Sequence, residues 1–511
     1  MYPRHFANLT PNKTAVSLSD GSAALSFLEL ENKANQAAHL FRSHDIKPGD
    51  KVAFLLPNCI DVFPFVWGAH RAGLLYVPIP TKSTVDEAAY LMKDSGATLL
   101  LSSTQCPAVK QDGFDASLGD VFKYALSPSP GKGWTDWEAA LKAFPETPIA
   151  DEQAGQAMLY SSGTTGRPKG ISPSHGVGGP FEEPELLTQL ISQAFHVDDQ
   201  SIFLTPAPLY HAAPLKWTMC AQALGATTIV MPRFSPAETL DVIERERVTD
   251  AQFVPTHFIR MLKMPEAERV KYDVSSLKMA VHAAAPCPVA IKEKMFAWWG
   301  DVIYEYYAGS EGFGMTLATP EGWKAHPGTV GFPILGTLHI CGENGEALPT
   351  GEIGQIYFES DIVFSYHNDS EKTKGAYNNH GWATLGDIGY LDEDGFLYLT
   401  DRKNFMIISG GVNIYPQEIE NTLVSHPDVA DVAVIGGPDP DLGEKVVAIV
   451  QPLDLRQDRD ELSIRLNSYC REQLSSIKVP KQFDFVDELP RTETGKMMKR
   501  LLRDEYWQDQ K

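Results

Sequence analysis

Short apolar runs that alternate with helix-period stretches constrain this chain more than any other feature. Phe27–Arg42 repeats Leu28, Leu30, Ala34, Ala37, Ala38 and Phe41 at helical spacing, and the short apolar strand Lys51–Leu56 follows. The series continues with helix Ile60–Ala72, strand Leu74–Pro78, helix Val85–Ser95 and strand Ala97–Ser102. It resumes with strand Ser201–Pro206, helix Leu215–Leu224, strand Thr227–Met231, helix Pro236–Glu246, strand Asp250–Val254, strand Lys278–Ala283 and helix Val289–Trp299. Strands separated by helices predict largely parallel sheets with helices packed on them, an α/β fold. From Gly331 the pattern changes to short strands and turns, which predicts a β-rich subdomain. The last hundred or so residues, with helices Tyr415–Val424 and Asp460–Leu474, read as a small α+β domain.

With 511 residues the chain has room for two or three domains. Its 66 acidic against 44 basic residues give a net charge of −22, which disfavours binding to nucleic acid and leaves anionic ligands to local cations. Six cysteines without C-x-x-C spacing argue against a disulfide framework or a zinc site and for free buried thiols. Met1–Asp20 lacks the pattern of a secretory signal, and no run approaches eighteen apolar residues. The protein is therefore expected to be cytoplasmic without a transmembrane segment; peripheral membrane contact and a homodimer stay open.

One loop stands out for chemistry. Tyr160–Gly170 contains Ser161, Ser162, Gly163, Thr164, Thr165, Gly166 and Lys169, so converging amides, hydroxyls and a cation surround a space suited to a polyphosphate. Pro168-Lys169 stands where the Walker pattern requires Gly-Lys. A Gly/Ser/Thr-rich linker is the bland alternative. Other candidates are equally ambiguous alone. Asp387 among glycines can accept from a vicinal diol or simply sit in a turn. Glu311, after Tyr307 and Ser310, can hold Mg²⁺ or be a solvated carboxylate. Lys496 can stabilise charge on a phosphoryl or carboxyl oxygen or flank a helix. His211, in a Pro-x-x-His turn, can act as a base or pack.

In combination and order, these motifs resemble the adenylate-forming superfamily of acyl- and aryl-CoA synthetases, luciferases and nonribosomal-peptide adenylation domains. The similarity runs from about Ser26 to Met498. Tyr160–Gly170 is similar to the family's phosphate loop, Tyr307–Glu311 to its aromatic-x-x-[Thr/Ser]-Glu motif, and Gly381–Gly389 to its ribose-binding motif. Asp401-Arg402 resembles the hinge, Ser409-Gly410-Gly411 the thioesterification motif and Pro490–Lys496 the catalytic-lysine motif.

The resemblance implies a large AMP-binding domain of mixed sheets over residues 1–400, a hinge at 401–404 and a mobile catalytic domain over 405–511. It implies that a carboxylic acid, fatty or bulky and aromatic, attacks Mg-ATP to give acyl-AMP, which CoA then intercepts after domain alternation. Thr164, Thr165 and Lys169 would hold phosphates, and Glu311 and Thr165 the Mg²⁺. Asp387 and Arg402 would hold the ribose, Ala285, Pro286 and Tyr307 the base, and Gly410 and Gly411 the pantetheine passage. Lys496 would bridge carboxylate and α-phosphate. Three positions depart from the pattern: Asn404 at the pivot, Ala283-Ala284 where Gly-Gly is frequent, and Ser161 in the phosphate loop. An acyl-AMP ligase that loads a carrier protein and a silent binding relative are the alternatives.

Overall fold

The structure is a computed structural model that describes residues 2–161, 168–172, 177–402, 405–491 and 497–507, with no side-chain description for Ser161 and Arg402. Its principal element is a nine-stranded sheet. In spatial order the strands are Phe332–Leu335, Met315–Ala318, Ile303–Ala308, Met279–His282, Asp250–Phe253, Ile202–Thr205, Thr227–Val230, Thr14–Leu18 and Ala24–Ser26. The six strands from Ile303–Ala308 to Thr14–Leu18 run parallel, and the outer ones pair antiparallel. A second sheet of six parallel strands is built on Lys51–Leu55, Leu75–Pro78 and Leu99–Ser102. The strand–helix alternation is thus realised as two parallel sheets.

The capping chemistry explains several helix starts. Ser26 and Thr84 each form a reciprocal capping box, with Glu29 and Glu87 respectively. Pro236 opens its helix where a missing N–H costs nothing. One boundary differs from expectation. The helix expected from Leu215 begins at Ala212 and runs to Ala223, because Pro214 falls in its first turn, where proline is tolerated. That shift puts His211 immediately before the helix.

Beyond residue 336 the β-rich part is a four-stranded antiparallel sheet of Thr337–Cys341, Gly354–Glu359, Asp387–Leu391 and Leu397–Arg402. The small C-terminal domain has its own core around Ile407, Ile419, Val434, Ala448 and Leu466. Its long hairpin, Val429–Asp439 with Gly443–Pro452, is flanked by helices Pro416–Val424 and Arg459–Gln473. The fold is a large domain of mixed sheets with a small α+β domain after it. All six cysteines are free, though Cys59 and Cys287 are only half-buried. No helix among the described residues is long and apolar enough to cross a membrane.

Candidate active site

In an open parallel sheet, ligands sit beyond the C-terminal strand ends where strand order reverses. Here the chain passes from Ile202–Thr205 to Thr227–Val230 on one side and then to Asp250–Phe253 on the other. The segments leaving the strand ends near that reversal are 206–211, 254–257, 283–286 and 309–312. Three of them carry residues singled out from sequence: His211, Ala285 with Pro286, and Ser310 with Glu311.

The polar groups near this edge are already positioned by hydrogen bonds. Asp387 is nearly buried, and its Oδ2 accepts from Tyr307 Oη at 2.7 Å. Antiparallel pairing places Asp387 opposite Arg402. Glu311 Oε1 accepts from Tyr366 Oη at 2.9 Å, and Lys372 Nζ lies 4.0 Å from the centre of the Tyr366 ring. Gly309 allows this approach, since a Cβ there would lie 2.6 Å from Glu311 Oε2 and would collide with Leu385. Lys169 stands on strand Lys169–Ser172, which pairs with Tyr160–Ser161 and Ser365–Tyr366. Its ammonium contacts Asp369 Oδ2 at 3.0 Å, which raises the lysine above its ordinary pKa. Asp369 is held below its usual range by the Lys372 N–H and by Lys169. Burial lowers Lys372, opposed by Glu311 and Asp369. Lys169, Asp369, Lys372 and Glu311 thus form one charged network.

Tyr366, Asp369, Lys372 and Asn58 escaped the sequence reading. Tyr366 lies 55 residues from Glu311 and Asp369 far along the chain from Lys169, within a stretch that carries no motif. Asn58 anchors the His211 turn: its Nδ2 donates to the Ala207 and Met231 carbonyls, and its Oδ1 accepts from Leu209 N at 2.8 Å.

The other flank of the site is apolar. His211, half-buried against the Tyr210 ring, precedes helix Ala212–Ala223. Ala284 is exposed and has φ +76°, a left-handed conformation that an alanine adopts only at a cost. Trp217 Nε1 donates to Tyr306 Oη at 3.2 Å; both rings are buried, and burial pushes the Tyr306 hydroxyl up to about 12. Below this flank, Lys292 Nζ donates to Glu305 Oε2 at 2.7 Å inside the core. Burial raises Glu305, and Lys292 opposes that shift. His282, 3.6 Å from the same oxygen, is driven far below its ordinary pKa by burial and so stays neutral.

In the small domain, Gly410 and Gly411 form the turn between Ile407–Ser409 and Val412–Ile414. Both have positive φ, +56° and +81°. Asp401 Oδ2, on strand Leu397–Arg402, accepts from Gln417 N at 3.0 Å, at the start of helix Pro416–Val424. Ser162, Gly163, Thr164, Thr165, Gly166, Asn404 and Lys496 lie outside the described residues. Among the described residues no three His, Cys, Asp or Glu side chains form a metal cage. A single oriented carboxylate such as Glu311 nevertheless fits Mg²⁺ held between substrate phosphates, because that ion takes one or two carboxylates and keeps its other ligands from phosphate and water.

The chain matches the model of the AMP-binding enzyme family over residues 3–366 and that of the AMP-binding enzyme C-terminal domain over 418–496. It is 31% identical to the long-chain-fatty-acid–CoA ligase FadD13 of Mycobacterium tuberculosis, across 98% of this chain and 97% of that protein. It is 32% identical to a feruloyl-CoA synthase of Amycolatopsis sp, across 98% of each. Among solved structures, the anthranilate CoA ligase AuaEII in complex with anthranoyl-AMP superposes with a TM-score of 0.87. The two are 25% identical, over 99% of this chain and 97% of that one.

Proposed function

The chain belongs to the AMP-binding enzyme family, and from that premise we propose that it is an AMP-forming ligase joining a carboxylic acid to CoA. The observation that carries this reading is the pair of carboxylates, Asp387 and Glu311, held by Tyr307 and Tyr366 beside the C-terminal edge of the parallel sheet. Two fixed acceptors of this kind suit a ribose diol and a phosphate-bound cation.

In the first step the acid's carboxylate oxygen attacks the α-phosphorus of ATP, and pyrophosphate leaves. Lys169 and the loop before it hold the departing phosphates, while Asp387 and Arg402 hold the ribose. Glu311 and Thr165 would hold Mg²⁺, which would supply charge neutralisation between the phosphates. Lys496 bridges the two anions that must meet. Alignment and preorganised cations account for most of the acceleration, since two negative groups otherwise repel. In the second step the CoA sulfur attacks the acyl carbon and AMP leaves. Residues 401–404 act as the hinge that exchanges Lys496 for the Gly410-Gly411 turn, where positive φ keeps backbone without a side chain at the thiol's path.

Incubation with ATP and a panel of acids, with and without CoA, tests the reading. AMP together with a CoA thioester supports it. Acyl-AMP and pyrophosphate without consumption of CoA identify an acyl-AMP ligase that loads a carrier protein. Neither AMP nor acyl-AMP with any acid overturns the enzymatic reading.

A further inference from the structure

Helix Pro255–Leu262 leaves the C-terminal edge of the parallel sheet at Val254 and ends against the small domain. Phe258 and Met261 fix one face of it in the core of the large domain. The carbonyl of Leu262, its last residue, accepts from Arg269 Nη1 at 2.8 Å, and that guanidinium lies over the Trp298 ring. From this anchored end two side chains cross to the small domain. Ile259 packs on the core around Ile407, Ile419 and Val434. Lys263 Nζ donates to the carbonyls of Val429 and Ala430, at 2.8 and 2.5 Å. Successive carbonyls of a regular strand point to opposite sides, and the break in register between Val429 and Asp431 lets both meet one ammonium. Burial lowers that ammonium to about 8, opposed by Asp431, so it docks as a cation at neutral pH.

The edge that Lys263 grips leads to the stretch Pro490–Lys496. Asp431, one residue past Ala430, accepts from Arg491 Nε at 2.5 Å and from Nη2 at 2.7 Å. Arg491 pairs with Met497, and these two bracket residues 492–496. The Gly410-Gly411 turn is in the opposite condition. Residues 410–413 are exposed, and a Cβ on Gly411 would meet no described atom within 4 Å. Among the described residues, the small domain is therefore fastened by the edge that carries Arg491, while the turn assigned to CoA faces solvent.

We propose that Lys263 is a positioning residue: it latches the small domain in the orientation that serves acyl-AMP formation, and it must let go before CoA attacks. This rests on the ligase reading. Both carbonyls belong to one strand of the small domain, so rotation of that domain breaks both bonds together. Bonds from a charged donor are stronger than neutral ones, and the balance between two orientations follows the difference in contact free energy between them. Loss of the ammonium tips that balance toward the orientation of the second step.

The test uses the full chain and the most active acid among benzoate, hexanoate, dodecanoate and hexadecanoate. Two rates are measured: acid-dependent ATP–pyrophosphate exchange, and thioester formation from the corresponding acyl-AMP and CoA. Lys263→Met keeps the stem and removes the donor. Its ratio of exchange to thioester formation should fall at least about tenfold. Lys263→Arg, still a double donor, should recover most of that loss. A second variant fixes the latch instead of breaking it. Lys263→Cys combined with Ala430→Cys, bridged by a short bis-maleimide, should keep exchange and lose at least about tenfold in thioester formation; each single substitution, treated alike, is the control. An unchanged ratio in Lys263→Met, or both rates falling together, overturns the proposal. So does a bridged protein that forms thioester at the unbridged rate, or a double variant that does not bridge in the absence of substrates. Neither AMP nor acyl-AMP with any acid overturns the ligase reading itself, and the bridging yield still reports whether the two domains dock at Lys263.

Discussion

The two flanks of the candidate site are built on opposite principles. On one, Asp387, Glu311 and Lys169 are held by Tyr307, Tyr366 and Asp369 through hydrogen bonds of 2.7–3.0 Å. On the other, Trp217, Tyr306, Phe195 and Ala284 present shape with little polarity. Fixed polar atoms suit a nucleotide that is the same in every turnover. An apolar floor can change with the acid while the nucleotide side stays as it is. Strand Ile303–Ala308 serves both: Tyr307 belongs to the polar flank, Tyr306 to the apolar one, and Glu305, on the opposite face, is anchored to Lys292.

Four substitutions would break or sharpen this contrast. The largest effect is expected from Lys496→Ala. Acid-dependent ATP–pyrophosphate exchange should fall about a thousandfold, the scale of losing one preorganised transition-state contact. Conversion of supplied acyl-AMP and CoA to thioester should largely survive. Exchange near the wild-type rate would remove this lysine from the first step.

Lys292→Met comes next and should disturb both flanks together. It leaves Glu305 buried without its cation, a defect worth about 3–5 kcal/mol. Urea denaturation should show the loss, with the KM for ATP and the acid profile moving together. A shift in only one of the two would mean that the shared strand does not couple them.

Asp387→Asn should confine its effect to the polar flank. Weakening a charged acceptor costs about 2 kcal/mol, or roughly thirtyfold in the KM for ATP. The ranking of acids should stay unchanged; a reordered ranking would merge the two flanks into one site.

The smallest effect is expected from Ala284→Gly. Relief of a left-handed alanine is worth about 1 kcal/mol, so the thermal midpoint should rise slightly. Bulkier acids should be accepted as the methyl leaves the pocket mouth. An unchanged profile with a raised midpoint would make the methyl a backbone matter alone.

The candidate residues of the polar flank could be named from sequence because they fall in local stretches, Tyr307, Ser310 and Glu311 in one strand-to-loop run and Asp387 among glycines, yet each was ambiguous alone and only the resemblance joined them. Their partners were not legible. Tyr366 reaches Glu311 only because strand Ser365–Tyr366 pairs with Lys169–Ser172, and Asn58 reaches Ala207 and Leu209 across two sheets. On the apolar flank His211 and Ala283-Ala284 were singled out, but Trp217 and Phe195 escaped notice because an aromatic residue in a helix has the same appearance whether it fills a core or borders a site.

The order of strands and helices, the free thiols, and the residue types able to hold phosphate, ribose and metal follow from the chain alone, since periodicity and local chemistry are written residue by residue. Only the tertiary structure decided which groups face one another: that Trp217 meets Tyr306, that Tyr366 holds Glu311, and that Ala284 keeps a strained backbone at the site. The reason is physical. Pairings between distant segments depend on how sheets stack and register, and these are set by the packing of the whole core.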